Sequence, residues 1–99
     1  MTTSGTELRE PSALNARIDD EGLTVELSDG RTIAVPLVWF PRLIHASRAE
    51  RENWRFIGGG SGIHWPALDE DISIESLLAG RRSAETPESL HRWLESRKV

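Results

Sequence analysis

Leu23–Leu37 reads LTVELSDGRTIAVPL. Leu23, Val25 and Leu27 alternate with Thr24 and Glu26, the two-residue period of a strand with one buried face. Asp29-Gly30 supplies a tight turn, because glycine takes a positive φ without a Cβ clash. Thr32 to Val35 then returns, and Pro36, which has no amide donor, ends the strand. The stretch is therefore an antiparallel hairpin. Immediately before it, Leu14, Ala16 and Ile18 alternate with Asn15 and Arg17, which adds a strand and makes a three-stranded meander. Residues 1–12, MTTSGTELREPS, are polar and are expected to form a flexible N-terminus.

Beyond Pro36, Phe40, Leu43 and Ile44 recur at helical spacing, with Pro41 acceptable in a first helical turn. Ser47-Arg48-Ala49-Glu50 is a capping box, in which the Ser hydroxyl and the Glu carboxylate satisfy free amides at a helix start. Two short helices follow from these signals. Trp54-Arg55-Phe56-Ile57 and Ile63-His64-Trp65 read as the arms of a β-hairpin turned by Gly58–Gly62, and Pro66 stops its second arm. Ser73 then caps a short helix with Ile74, Leu77 and Leu78 on one face, closed by Gly80. Residues 81–86 read as an exposed linker. Thr86-Pro87-Glu88 opens a C-terminal amphipathic helix over 87–99, with Leu90, Trp93 and Leu94 on one side. The expected fold is a single α+β domain over residues 13–80, followed by a linker and a helix.

The chain has 99 residues, no cysteine and four tryptophans. One modest core is expected at this length, leaning on the indoles. Disulfides, thiolate metal sites and cysteine nucleophiles are excluded, and a reducing, cytoplasmic setting fits. No stretch reads as a secretory leader or approaches the roughly 20 apolar residues of a membrane span. The net charge of −4 opposes direct nucleic-acid binding, which needs a basic surface. Charge is nevertheless blocked. Arg42, Arg48, Arg51 and Arg55 crowd one segment, and Asp69, Glu70, Asp71 and Glu75 another. The two blocks are expected on different sides of the molecule, as an orienting dipole.

Gly58–Gly62 is not a phosphate loop, which would need a Lys-Ser or Lys-Thr pair entering a helix. His64 with Asp69, Glu70 and Asp71 offers the donor types of a divalent-metal site or an acid–base pair, without a recognised ligand spacing. The same acids are explained more simply by solvation and by the dipole of the helix that follows. The four arginines are either a surface for an acidic partner or nucleic acid or, more simply, a solvated face paired with Glu50 and Glu52. The apolar face of Leu90, Trp93 and Leu94 docks either on its own domain or, as expected here, on another chain. Asp29, Gly30, Pro41, Trp54, Gly58, Gly62, Trp65 and Pro66 are read as structural, with Trp65 pointing inward.

FPRLIHASRAERENWRFIGGGSGIHWPALDEDISIESLLAG resembles the bacterial family called domain of unknown function 2442. The resemblance rests on Phe40 to Leu43, Arg51, Trp54, Gly58 to Gly62, Ile63 to Pro66 and Leu68 to Leu78, and spans about residues 13–80. It implies a small α+β domain with no assigned activity. Members often stand beside a gene for another small protein, in an arrangement similar to type II toxin–antitoxin pairs. Some carry a helix-turn-helix domain afterwards; the stretch after Gly80 suits one helix and not that domain.

Together these readings favour a non-enzymatic protein–protein interaction module, the antitoxin-like member of a two-gene pair. Its partner is the product of a neighbouring gene or a second copy of the chain. No cofactor, direct nucleic-acid contact or membrane is implied. Two alternatives stay open: a small metal-dependent enzyme or ligand binder using His64 and Asp69/Glu70/Asp71, and a transcription regulator acting through a partner.

Overall fold

The computed structural model describes residues 10–98. It has two three-stranded antiparallel sheets and four α-helices, a small α+β fold. The first sheet is a meander of β1 (Ala13–Ile18), β2 (Gly22–Leu27) and β3 (Thr32–Pro36). The turn between β2 and β3 forms as the sequence dictates. Gly30 lies at φ +93°, and the Asp29 carboxylate accepts the Arg31 amide at 3.0 Å. Leu23, Val25 and Leu27 are all buried.

β1 departs from the expected alternation. Its register shifts between Ala13 and Asn15, a bulge that turns Leu14 outward at 64% exposure and Ala13 into the core. The cause lies outside the strand. The Ala13 amide donates to the Gly60 carbonyl at 2.7 Å, and Ser12 and Ser28 exchange two bonds, so the strand's start is held against the second sheet. Of the N-terminal segment expected to be flexible, residues 1–9 lie outside the described residues; Ser12 is anchored.

A 3-10 turn, Leu37–Trp39, leads into α1 (Pro41–Ile44) and α2 (Arg48–Glu52). The capping box of α2 is present: the Ser47 hydroxyl accepts the Glu50 amide at 3.1 Å, and Glu50 accepts the Ser47 amide at 2.9 Å. The second sheet is β4 (Arg55–Ile57), β5 (Gly62–Trp65) and β6 (Glu70–Ser73). Here a β-hairpin was expected, and β6 is a strand that the acidic sequence concealed. α3 (Ile74–Leu78) follows, capped by Ser73 and closed by Gly80 at φ +72°. α4 (Pro87–Ser96) ends the described chain.

Both sheets, α1 and α3 contribute to one core, which includes Leu23, Leu37, Leu43, Ile63, Trp65 and Ile74. Trp65 is fully buried, and its indole N–H donates to the Arg51 carbonyl at 2.9 Å, which satisfies its only polar atom. The Trp54 and Phe56 rings meet at a tilt of 57°, with centroids 4.9 Å apart, beside that core.

Candidate functional site

Pro66 does end β5, and the chain reverses through the next residues. Leu68 is buried beneath the turn and its amide returns to the Trp65 carbonyl. Asp69 takes φ +51°, a left-handed conformation that Asp tolerates better than most residues. The reversal sets β6 antiparallel to β5, with His64 opposite Asp71 and Trp65 opposite Glu70.

The three acids line one cleft but stand in different environments. Asp71 pairs with the Nδ1 edge of His64 on the sheet surface. Asp69 is exposed. Glu70 is half-buried instead of solvated, and burial pushes its carboxyl up to about 7, with Glu85, Asp71 and Asp69 adding repulsion and Arg42 opposing. Among the described residues no three His, Asp or Glu side chains converge as a metal site would need.

Glu70 and Asp71 lie in the wall of a cleft of about 570 Å³. One wall is β6, and the other is the segment from Arg81 to Glu85. Four serines, Ser73, Ser76, Ser83 and Ser89, also line it. Such a volume suits a small ligand or a short peptide segment.

Arg42 closes one end. Its guanidinium meets Glu85 at 2.5 Å, donates to the Leu68 and Asp69 carbonyls at 3.1 and 3.0 Å, and lies 5.1 Å above the Trp93 ring. Glu85 is only 6% exposed, and the bond from Arg42 holds its carboxyl below the usual range. Residues 81–86 are thus not a free linker: the Ser83 amide also donates to Trp39, and Arg82 stacks on the Trp39 ring. Arg97 also lies over the Trp93 ring, at 4.4 Å, and bonds both Glu50 oxygens at 2.8 and 2.9 Å. Two guanidinium groups thus lie over the Trp93 indole, and through it α4 packs on its own domain. The intermolecular docking expected for Leu90, Trp93 and Leu94 is not the arrangement seen; all three are half-buried within the chain.

The arginine block also resolves differently. Arg42 reaches the acidic turn, so the two charge blocks adjoin at that point and do not form the separated dipole expected of them. Arg51 donates to the Leu43 and Ile44 carbonyls and pairs with Asp20, tying α1 to α2. Glu50 answers Arg97 and not the neighbouring arginines. Arg48 and Arg55 remain exposed, with no ion pair among the described residues. Glu85, Ser83 and Arg97, which build this region, were not singled out by the sequence; their partners lie 43 or more residues away and leave no local pattern.

Residues 13–83 match the family described as Protein of unknown function (DUF2442). A protein of unknown function from Rhodospirillum rubrum, known from a crystal structure, is 34% identical, with a TM-score of 0.68 over 78% of this chain and 95% of that one. An uncharacterised protein from Chromobacterium violaceum, solved in solution, shares the fold at 20% identity, with a TM-score of 0.62 over 81% of this chain and 75% of that one. No curated protein matches.

Proposed function

We propose a function from one premise: the chain belongs to the family described as Protein of unknown function (DUF2442), and what must be explained is the cleft its fold builds. The chain acts as a non-enzymatic protein–protein interaction module, the antitoxin-like member of a two-gene pair, working in the cytoplasm. The observation that carries this reading is the wall of the cleft. Asp69 and Glu70 stand there without an ion-pair partner among the described residues, and burial, with the like charges of Glu85, Asp71 and Asp69, drives Glu70 towards neutrality. A carboxylate left half-buried and crowded by like charge gains from a cation brought by a partner. The narrower antitoxin role is supported by the gene arrangement that the family resemblance implies. No helix among the described residues is long and apolar enough to cross a membrane.

The test is co-expression with the product of the adjacent gene. The expected result is a complex that survives size-exclusion chromatography, is lost in an Asp69→Lys/Asp71→Lys variant, and relieves growth arrest caused by the neighbour alone. A complex indifferent to those substitutions, or no complex, overturns the reading. A second reading has its own observation: Asp71 holds Nδ1 of His64, the arrangement that orients an imidazole for acid–base work or metal ligation. A rise in melting temperature with zinc or manganese that is lost in His64→Ala would favour it.

A further inference from the structure

Strand β6 is the edge of its sheet. Which of its backbone groups face away from β5 follows from one bond just beyond the strand: the Ile74 amide donates to the Ser61 carbonyl at 2.9 Å. Antiparallel ladders alternate bonded and non-bonded pairs. Ser61 and Ile74 extend the register of Gly62↔Ser73, Ile63↔Ile72, His64↔Asp71 and Trp65↔Glu70. The bonded pairs are therefore Ile63–Ile72 and Trp65–Glu70. Asp71 turns its amide and carbonyl outward, and Ser73 its amide; the Ser73 carbonyl belongs to the first turn of α3. Among the described residues nothing bonds these outward groups.

The next strand of a sheet lies about 4.8 Å away in the hydrogen-bonding direction. The residues of β6 line the cleft along this edge. The cations of the opposite wall are already occupied: Arg42 by Glu85, Arg82 by the Trp39 ring, and Arg81 beside Glu75 at 4.0 Å. The acids of the strand side are not, apart from Asp71 with His64.

We infer that the β6 edge is a strand-addition site, which takes an extended, basic peptide segment pairing with Asp71 and Ser73 and placing lysine or arginine side chains against Asp69, Glu70 and Asp71. This deepens the interaction reading and rests on it. Main-chain bonds supply the docking and the acids supply the selection. The competing account is that acids on a short edge merely discourage stray pairing.

Fluorescence anisotropy on the full chain separates the two, with three capped probes: an alternating lysine–valine heptapeptide, its glutamate–valine counterpart, and the lysine peptide N-methylated at alternate amides. The lysine peptide is expected to bind saturably, and each of the other two at least tenfold more weakly. In ¹H–¹⁵N spectra the Asp71 and Ser73 amides are expected to move downfield and exchange more slowly with solvent on binding. Absence of binding by the lysine peptide, equal binding by the N-methylated peptide, or shifts confined to other surfaces each overturns strand addition. Capture of the neighbouring gene product that continues without this amide signature would sink strand addition alone and leave the interaction reading standing.

Discussion

At the scale of single residues, three positions allow sharp tests. Trp65 is enclosed on all sides, and its one polar atom is satisfied, so Trp65→Ala should cost about 3–5 kcal/mol, read from urea unfolding midpoints at unchanged slope. Gly60 is a second. It sits at φ +98°, and a Cβ there would lie 2.9 Å from the Ala13 carbonyl and the Ser12 side chain; at Gly59, with φ +67°, a Cβ would meet nothing. Gly60→Ala should therefore cost about 1–3 kcal/mol, clearly more than Gly59→Ala, which carries the backbone strain alone. Equal costs would show that the close approach to β1 is unimportant. Glu70 is the third. The folded chain keeps its proton up to about pH 7, whereas the unfolded chain releases it near the ordinary value of 4.5. Folding thus takes up a proton in that window. The contribution of Glu70 is full below about pH 4.5 and is lost as pH rises through 7. Glu50 and Glu85, whose carboxyls are held low, act in the opposite sense and lose their contribution as pH falls below the ordinary range. Between pH 5 and 7.5 the unfolding midpoint of the natural chain should fall relative to that of Glu70→Gln. Parallel curves would show that Glu70 is no more buried than its neighbours.

Among the elements, those legible in the sequence are the ones whose cause is local. The β2–β3 hairpin is carried by alternation and Asp29-Gly30, α2 by its capping box, and α3 by Ser73 and Gly80. β6 escaped because its residues, Glu-Asp-Ile-Ser, offer one apolar side chain; its strand state is imposed by pairing with β5. The inward turn of Ala13 escaped for the same reason, since Gly60 imposes it from the other sheet. α4 was legible as a helix but not in its docking, which depends on Arg42 and Glu50, both far away in sequence. Arg42 makes several of the contacts in that docking at once. Arg42→Ala removes the Glu85 pair, two carbonyl bonds and one of the two cations over the Trp93 ring, and should cost about 3 kcal/mol by stranding the Glu85 carboxylate. Amide exchange in α4 should accelerate at least tenfold while the amides of β2 and β5 stay protected. Arg42→Lys keeps the charge without the planar fork and should rescue only part of that protection. An α4 still fully protected in Arg42→Ala would mean that Leu90 and Leu94 suffice to hold it.

For the molecule as a whole, the architecture explains why the site was half-read. His64, Asp69, Glu70 and Asp71 stand close in sequence, and a chemical cluster is the natural reading of that closeness. A strand divides neighbours between its two faces, so the same four residues are distributed over a surface pair, an exposed turn and a half-buried cleft wall. The groups that complete the cleft come from the segment after Gly80. The bond between the Ala13 amide and the Gly60 carbonyl carries a different consequence, one of timing. A chain made from its N-terminus can close the β2–β3 hairpin and lay β1 against it early, but the Ala13 amide has no acceptor until Gly60 follows. One amide at the start of the first sheet thus waits during synthesis for the middle of the chain, and the join between the two sheets there is completed only when that glycine is made.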